Sequence, residues 1–210
     1  NFVFNQKIMC GIFAYVGTRK DTPTLVVNGL KKLEYRGYDS WGIAYKANEK
    51  IAIHKEVGKI GEFDPADLNA EFRITNDQEN EKITVGEAES NLLMAIAHTR
   101  WATHGGITKE NAHPHATEEK DVVIVHNGVL ENFQELKKDL IEKGHVFSSE
   151  TDTEVIAHLI EDYLNETNDF KKSVELATKK MVGRYAIVAI CDRENSLIVA
   201  RKGSPIIIGK

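Results

Sequence analysis

The chain has 210 residues, with 27 Lys and Arg against 32 Asp and Glu, and its formal net charge is −5. Hydrophobic residues make up 41%, which is enough to build a core and excludes a disordered tail, and the length fits one sizeable domain. The acidic balance argues against nucleic acid or an anionic membrane as a partner, and no apolar run approaches the ~18 residues of a membrane span. Because the two cysteines, Cys10 and Cys191, cannot form a disulfide framework, we expect a reducing, cytoplasmic location.

The first nine residues stand apart from the rest of the chain. Residues 1–9 contain too few basic residues and too short an apolar run for a secretory signal. A start at Met9, with foreign or misassigned residues upstream, is the simplest interpretation, and a propeptide is the alternative. We therefore interpret residues 1–9 as a leader or tag-like extension and residues 10–210 as the domain.

Hydrophobic patterning predicts the elements in chain order. An apolar run from Cys10 to Gly17 predicts a buried strand, and a helix with an apolar stripe opens at Pro23 and is closed by Gly37. Later apolar runs predict further strands at 40–45, 51–57, 92–98, 122–126, 185–191 and 196–200, and helices at 132–143, 152–164 and 170–181.

Two stretches carry no regular period. Residues 58–90 are polar and acidic and are predicted to form a loop-rich excursion. Residues 99–120 are rich in His, Gly and Thr, and we expect a long functional loop outside the core. The order of strands, then helices, then strands indicates a layered α+β architecture with stacked sheets rather than alternating βαβ units.

Cys10 is the strongest candidate nucleophile, because a thiolate is accessible near neutral pH. Residue type alone favours a buried packing role for Cys10, and Cys191 lies inside an apolar strand where we expect inert packing. The position of Cys10, directly after a possible initiator Met9, supports the catalytic alternative. Removal of the preceding residues would leave an α-amine with a pKa of ~8 that can act as base for its own thiol.

The stretch His98-Thr-Arg-Trp-Ala-Thr-His-Gly105 combines an arginine with hydroxyl and aromatic groups at the exit of a strand. Arg100 there could grip a small carboxylate with two parallel hydrogen bonds, or could be an ordinary surface arginine beside a packed Trp101. Histidines crowd the same region, but their spacing lacks the i, i+4 geometry of a helical zinc pair. We favour ordinary hydrogen bonding over a metal site for most of them.

Two further motifs offer polar groups. Asn127-Gly128 at a strand end is ordinarily a turn, yet an Asn amide and the following backbone N–H are also a pair of donors for an oxyanion. Asp152 at a helix start could cap the helix or receive a ligand ammonium. A thiol, an arginine, an aspartate and an oxyanion pair together describe a site for an amino acid whose side-chain carbonyl is attacked.

Jointly, these motifs resemble the class II, N-terminal-nucleophile glutamine amidotransferases, and most closely the glutaminase domains of glucosamine-6-phosphate synthases. The resemblance extends from Cys10 to about Gly209 and rests on six ordered motifs. It implies a four-layer αββα sandwich of two antiparallel sheets. The stretches that carry it are Cys10-Gly-Ile-Phe, Leu33-Glu-Tyr-Arg-Gly-Tyr-Asp-Ser40, His98-Thr-Arg-Trp-Ala-Thr-His-Gly105, Asn111-Ala-His-Pro-His115, His126-Asn-Gly128 and Ser149-Glu-Thr-Asp-Thr-Glu-Val155.

The resemblance also implies roles for individual residues. Cys10 would be nucleophile and, through its freed amine, base, with Arg36 and Gly37 orienting it. Asn127 and Gly128 would form the oxyanion hole. Glutamine would be held at its α-carboxylate by Arg100 and Thr103 and at its α-amine by Asp152, under a loop from Trp101 to His104. His113 matches a family position near the site, without an assigned role.

The implied reaction is hydrolysis of the L-glutamine side-chain amide, without a metal or organic cofactor. Ammonia would pass to a sugar-phosphate isomerase domain that acts on fructose 6-phosphate and is not part of this sequence. We expect the isolated domain to be monomeric. Two alternatives remain: a glutamine-binding or partner-docking module blocked by residues 1–9, and a metal-dependent hydrolase built on the histidines.

Overall fold

The computed structural model describes residues 10–47, 50–68, 92–102 and 105–209. The leader 1–9, the acidic stretch 69–91, and Thr103 and His104 lie outside the described residues. The strands are β1 (Gly11–Gly17), β2 (Ser40–Ala47), β3 (Lys50–Val57), β4 (Leu93–Arg100), β5 (His115–Ala116), β6 (Val122–Leu130), β7 (Gly183–Cys191) and β8 (Leu197–Lys202). The longer α-helices of the described residues are α1 (Thr22–Lys31), α2 (Phe133–Glu142), α3 (Asp152–Thr167) and α4 (Phe170–Lys180), and a short 3-10 helix spans Glu34–Arg36.

The described strands form two four-stranded antiparallel sheets. The first has the order β1-β4-β2-β3 and the second the order β5-β6-β7-β8. Along β4, Met94 and Ile96 belong to the cluster between the sheets, whereas Leu93 and Ala95 face the cluster that contains α1. This alternation follows from the two-residue period of a strand and gives each sheet two apolar faces.

The helices cover the outer faces. Val26, Val27 and Leu30 of α1 pack on the first sheet, and the apolar stripes of α2, α3 and α4 pack on the second. The resulting order is helix, sheet, sheet, helices, so the four-layer αββα architecture is confirmed. Cys191 lies in the core against the helices and is fully buried, and burial raises the pKa of its thiol to about 11, which confirms the expected packing role.

Local signals in the sequence account for the helix termini nearest the site. Thr151 caps α3, because its hydroxyl accepts the N–H of Glu154, and Glu154 in turn accepts hydrogen bonds from Ser148 and Ser149. Asp169 caps α4 through the N–H of Lys172. These contacts fix the start of α3 and therefore the position of Asp152, the first residue of that helix.

The structure corrects two expectations. The stretch 99–120 is not outside the core, because Ala112, His113, His115 and Thr117 are buried and β5 pairs with β6. In addition, β6 does not end before Asn127 but continues to Leu130, pairing with β7 throughout. Asn127-Gly128 is therefore part of a strand, and the turn interpretation is wrong.

Candidate active site

Cys10 directly precedes β1 and lies beside the end of β4. The N–H of Trp101 donates to its Sγ atom at 3.1 Å, and the thiol donates to the Trp101 carbonyl at 3.6 Å. Burial raises the pKa of the Cys10 thiol, and the hydrogen bond from Trp101 only partly opposes this. The thiol is therefore protonated near neutral pH and needs a base to become a nucleophile.

Two side chains hold the backbone of Cys10. The Nδ2 atom of Asn127 donates to the Cys10 carbonyl at 2.8 Å, and Nε of Arg36 donates to the same oxygen at 3.4 Å. The next N–H, that of Gly11, donates to the hydroxyl of Thr99 at 3.2 Å. The position of Cys10 is thus determined by hydrogen bonds from three separate segments.

Gly37 is required by a close approach of two backbones. A Cβ atom at this position would lie 2.6 Å from the Arg100 carbonyl carbon and 2.8 Å from the Trp101 nitrogen. This is the peptide whose N–H donates to the Cys10 sulfur. Any larger residue would displace that peptide, so Gly37 fixes the thiol indirectly.

The orientation of the Asn127 amide is set by His98. Burial lowers the pKa of His98 to about 3, so its ring is neutral. Its Nε2 atom lies 2.9 Å from Asn127 Oδ1 and 3.0 Å from the His126 carbonyl oxygen. Because both partners are acceptors, Nε2 carries the ring proton and donates to them. The oxygen of Asn127 therefore faces His98, and its nitrogen faces Cys10.

Gly128 follows on β6 with a φ of 138°, which favours glycine. A Cβ atom here would lie 2.0 Å from the Arg184 carbonyl oxygen on the paired strand β7. The glycine therefore permits close pairing at the point where the strand borders a cavity.

That cavity encloses about 350 Å³ of empty space, a figure that includes its open mouth. It brings together a thiol, a guanidinium and a carboxylate. Its lining consists of Cys10, Arg100, Trp101, His113, His126, Gly128, Thr151, Asp152 and Thr153. Asn127 is not among these residues, since its Nδ2 atom is directed at the Cys10 carbonyl.

Both charged groups of the cavity are anchored. Nη1 of Arg100 donates to the Gly106 carbonyl at 3.0 Å, and the residue is only 3% exposed. Asp152 does not cap α3; its Oδ2 atom accepts the N–H of Leu130 at 2.8 Å. Each group is thus held by backbone in a fixed place, which suits recognition of a small zwitterionic ligand.

Three buried histidines, His98, His113 and His126, lie at or next to the cavity wall. His113 stacks on His98 with 4.0 Å between ring centres, and Nε2 of His113 and Nδ1 of His126 lie 2.9 and 3.0 Å from the Thr153 hydroxyl. Burial lowers the pKa of all three rings, so they are neutral supports rather than charged groups. Within the described residues these histidines form no cluster of metal-ligand type.

The structure thus gathers nine of the residues singled out in the sequence and leaves Thr103 and His104 outside the described residues. Sequence reasoning assigned no role to Asp39, His98 or Thr99. Asp39 accepts the N–H of Ala102 at 2.8 Å and so holds the residue that follows Trp101. His98 and Thr99 are polar residues at the end of a predicted buried strand, and this unusual placement was the sequence signal that could have identified them. The gathered residues are Cys10, Arg36, Gly37, Arg100, Trp101, His113, Asn127, Gly128 and Asp152.

Comparison with known proteins agrees with this geometry. Residues 98–206 match the family model described as glutamine amidotransferase domain. The chain belongs to this family. Its amidotransferase domain is 46% identical to glutamine–fructose-6-phosphate aminotransferase (isomerizing) of Pyrococcus horikoshii and 43% identical to that of Thermococcus kodakarensis, each over 96% of this chain.

The chain spans only 31% and 30% of the length of these two relatives. Among solved structures, it is similar to glutamine phosphoribosylpyrophosphate amidotransferase from B. subtilis, with a TM-score of 0.66 and 26% identity over 90% of this chain and 36% of that chain. The relatives give no support to a catalytically blocked binding module. Among the described residues, no helix is both long enough and apolar enough to cross a membrane.

Proposed function

We propose that this amidotransferase domain hydrolyses the side-chain amide of L-glutamine through a thioester on Cys10 and supplies the ammonia to a second domain. The observation that carries the proposal is the single cavity that a thiol, a guanidinium and a carboxylate share. The three groups match the reactive carbonyl, the α-carboxylate and the α-ammonium of one glutamine molecule.

Recognition of the amino acid falls to the two anchored charges. Arg100 pairs with the α-carboxylate, and Asp152 pairs with the α-ammonium. Trp101, Thr103 and His104 follow Arg100 directly in the chain, and we assign to them the loop that closes over the bound glutamine. Exclusion of water by this loop would strengthen both ion pairs.

The reaction proceeds in two steps, formation of a thioester and its hydrolysis. The Cys10 sulfur attacks the amide carbonyl carbon, and the C–N bond breaks as the nitrogen takes a proton and leaves as ammonia. Water then attacks the thioester, the C–S bond breaks, and glutamate leaves as the thiol is restored. The negative charge on the carbonyl oxygen in each step is stabilised by the N–H of Gly128 and by the second proton of the Asn127 Nδ2 atom.

The base is the α-amine of Cys10 in a chain that begins at this residue. The Cys10 carbonyl is held by Asn127 and Arg36, so its backbone is already positioned. A free amine on the same residue is adjacent to a thiol whose pKa burial raises, and it can take the thiol proton as the sulfur attacks.

For the wider reaction, we propose that the ammonia is used to aminate fructose 6-phosphate. The support is that the two relatives are glutamine–fructose-6-phosphate aminotransferases and that this chain spans less than a third of their length. The acceptor would then be bound by a sugar-phosphate isomerase domain. The domain by itself would be a monomeric glutaminase.

A chain that begins at Cys10 is expected to release one ammonia and one glutamate per L-glutamine, whereas the 210-residue chain with residues 1–9 retained is expected to be inactive. The physical reason is that the peptide bond removes the base. Coupled assay of glutamate and ammonia measures both chains. A folded chain beginning at Cys10 with no turnover, in the presence of saturating glutamine, would contradict the glutaminase proposal for this domain.

Replacement of Arg100 by lysine is expected to raise the glutamine KM by about tenfold or more, because lysine cannot form the two parallel hydrogen bonds of a guanidinium. The kcat at saturating glutamine should change far less. Steady-state kinetics on the chain that begins at Cys10 give both constants. The matched control is Arg193→Lys, since Arg193 pairs with Asp121 at the surface. An unchanged KM in Arg100→Lys would contradict the assignment of Arg100 to the α-carboxylate of glutamine.

A further inference from the structure

Two histidines and a glutamate outside the active site converge on one point. His145 follows α2, and His158 and Glu161 lie one turn apart on α3. None of the three lines the glutamine cavity. His158 is six residues beyond Asp152 on the helix, or ~9 Å along its axis. The cluster is therefore a separate feature of the outer helical layer.

The three polar atoms form a nearly equilateral triangle. Nδ1 of His145 lies 3.1 Å from Nδ1 of His158, and Oε2 of Glu161 lies 3.2 and 3.4 Å from these two atoms. Ligand atoms at ~2.0–2.1 Å from a tetrahedral zinc ion are separated from one another by ~3.3–3.4 Å. The triangle thus has the size of three corners of such a tetrahedron.

The arrangement of the two imidazole rings is consistent with both binding one metal ion. The ring centres of His145 and His158 are 5.0 Å apart, farther than their Nδ1 atoms, and the ring planes are inclined at 69°. The rings therefore do not stack but converge by their Nδ1 atoms. A hydrogen-bonded histidine pair needs only one such contact, whereas here both nitrogens also face the same carboxylate oxygen.

The surroundings supply a second carboxylate. Asp162 Oδ1 lies 3.7 Å from Nε2 of His145 and its other oxygen pairs with Lys143. A carboxylate behind a metal-bound imidazole commonly fixes the ring and its tautomer. His158 is less well supported, because its Nε2 atom has no hydrogen-bond partner among the described residues.

We propose that His145, His158 and Glu161 form a site for a zinc-type divalent ion, with a fourth position open to water. Two imidazoles and one carboxylate favour Zn²⁺ or Co²⁺ over Mg²⁺ and Ca²⁺, which prefer all-oxygen ligands. The side chains of His145 and Glu161 are 14% exposed, so the site can be reached from solvent. The ion would link the segment after α2 to the helix that carries Asp152.

The test is titration of the metal-stripped 210-residue chain with Co²⁺, followed by the visible absorption of tetrahedral Co²⁺, and competition with Zn²⁺. The Cys10→Ala variant is used throughout, so that its thiol cannot bind the metal. We expect one ion per chain and an increase in Tm of roughly 5–10 °C when Zn²⁺ is present at ~100 times its Kd. Mg²⁺ should produce neither signal.

The variants His145→Ala and Glu161→Gln should each weaken binding by about 100-fold or more, beyond the ~10–100-fold typical of an outer-shell residue. Both residues lie at the edge of the cluster, so the fold should survive, which circular dichroism checks. Glu142→Gln, an exposed carboxylate on α2, is the matched control and should bind like the parent. No stoichiometric binding, or binding unchanged in both variants, would overturn the proposal. Because no readout is glutamine turnover, the result is independent of the proposed function.

Discussion

Replacement of Cys10 by alanine, in a chain that begins at this residue, is expected to abolish glutamine hydrolysis and to leave glutamine binding in place. In the proposed mechanism turnover requires the Cys10 sulfur, and no other described thiol lies at the cavity, since Cys191 is in the core. In the proposed site, glutamine is bound by Arg100 and Asp152, which are anchored by backbone contacts that do not involve the sulfur. Ammonia release and calorimetric titration with glutamine measure the two properties separately.

Cys191→Ala is the matched control for this change. It also removes a thiol, but from the hydrophobic core rather than from the cavity, and burial raises the pKa of that thiol to about 11. Turnover within a few-fold of the parent is expected. Turnover of Cys10→Ala at the parental rate would exclude the thioester. Loss of glutamine affinity in the same variant would show that binding by Arg100 and Asp152 depends on the sulfur.

The architecture was accessible from the sequence because periodicity reports directly on burial. The alternating faces of β4 and the apolar stripe of α1 follow from side-chain spacing alone, and every predicted strand and helix is confirmed, with shifted ends. Cys191 was also predicted correctly, because an apolar strand is a sufficient signal for a packed thiol.

The stretch 99–120 shows where periodicity stops being informative. Its content of histidine and threonine predicted a loop outside the core, yet His113, His115 and Thr117 are buried. The Nε2 atoms of His113 and His115 hydrogen-bond with Thr153 and Thr151, which lie far away in the chain at the start of α3. Hydrogen bonds across such distances leave no local pattern.

The same reason limits what could be predicted of the site. The residues proposed to contact glutamine were predicted from sequence motifs, whereas the residues that orient them were identified only from the three-dimensional structure. His98 is an example, because its effect on Asn127 depends on a neutral ring with the proton on Nε2, which burial imposes. Asp39 and Thr99 likewise act through backbone groups of other segments.

Replacement of Asn127 by alanine is expected to lower kcat by roughly 10²–10³, the usual effect of losing one oxyanion donor. The change removes Nδ2, which holds the Cys10 carbonyl at 2.8 Å and whose second proton we assign to the oxyanion. The glutamine KM should change little, since Arg100 and Asp152 remain. Steady-state kinetics on the chain that begins at Cys10 separate the two constants. Asn132→Ala removes two hydrogen bonds, to Lys180 and Val182, from a residue that does not line the cavity, and is the control for a general loss of stability.

The Asn127→Asp variant tests whether Asn127 acts by donating a hydrogen bond to the oxyanion or only through its contact with His98. Aspartate keeps an oxygen that can accept the His98 Nε2 proton, as Asn127 Oδ1 does at 2.9 Å, but it has no N–H for either the Cys10 carbonyl or the oxyanion. If the amide nitrogen is what matters, this variant loses at least as much kcat as Asn127→Ala, because a second negative charge would face the developing one. A parental rate in Asn127→Asp would instead assign the residue to holding His98, and the oxyanion would then depend on the Gly128 N–H without help from Asn127.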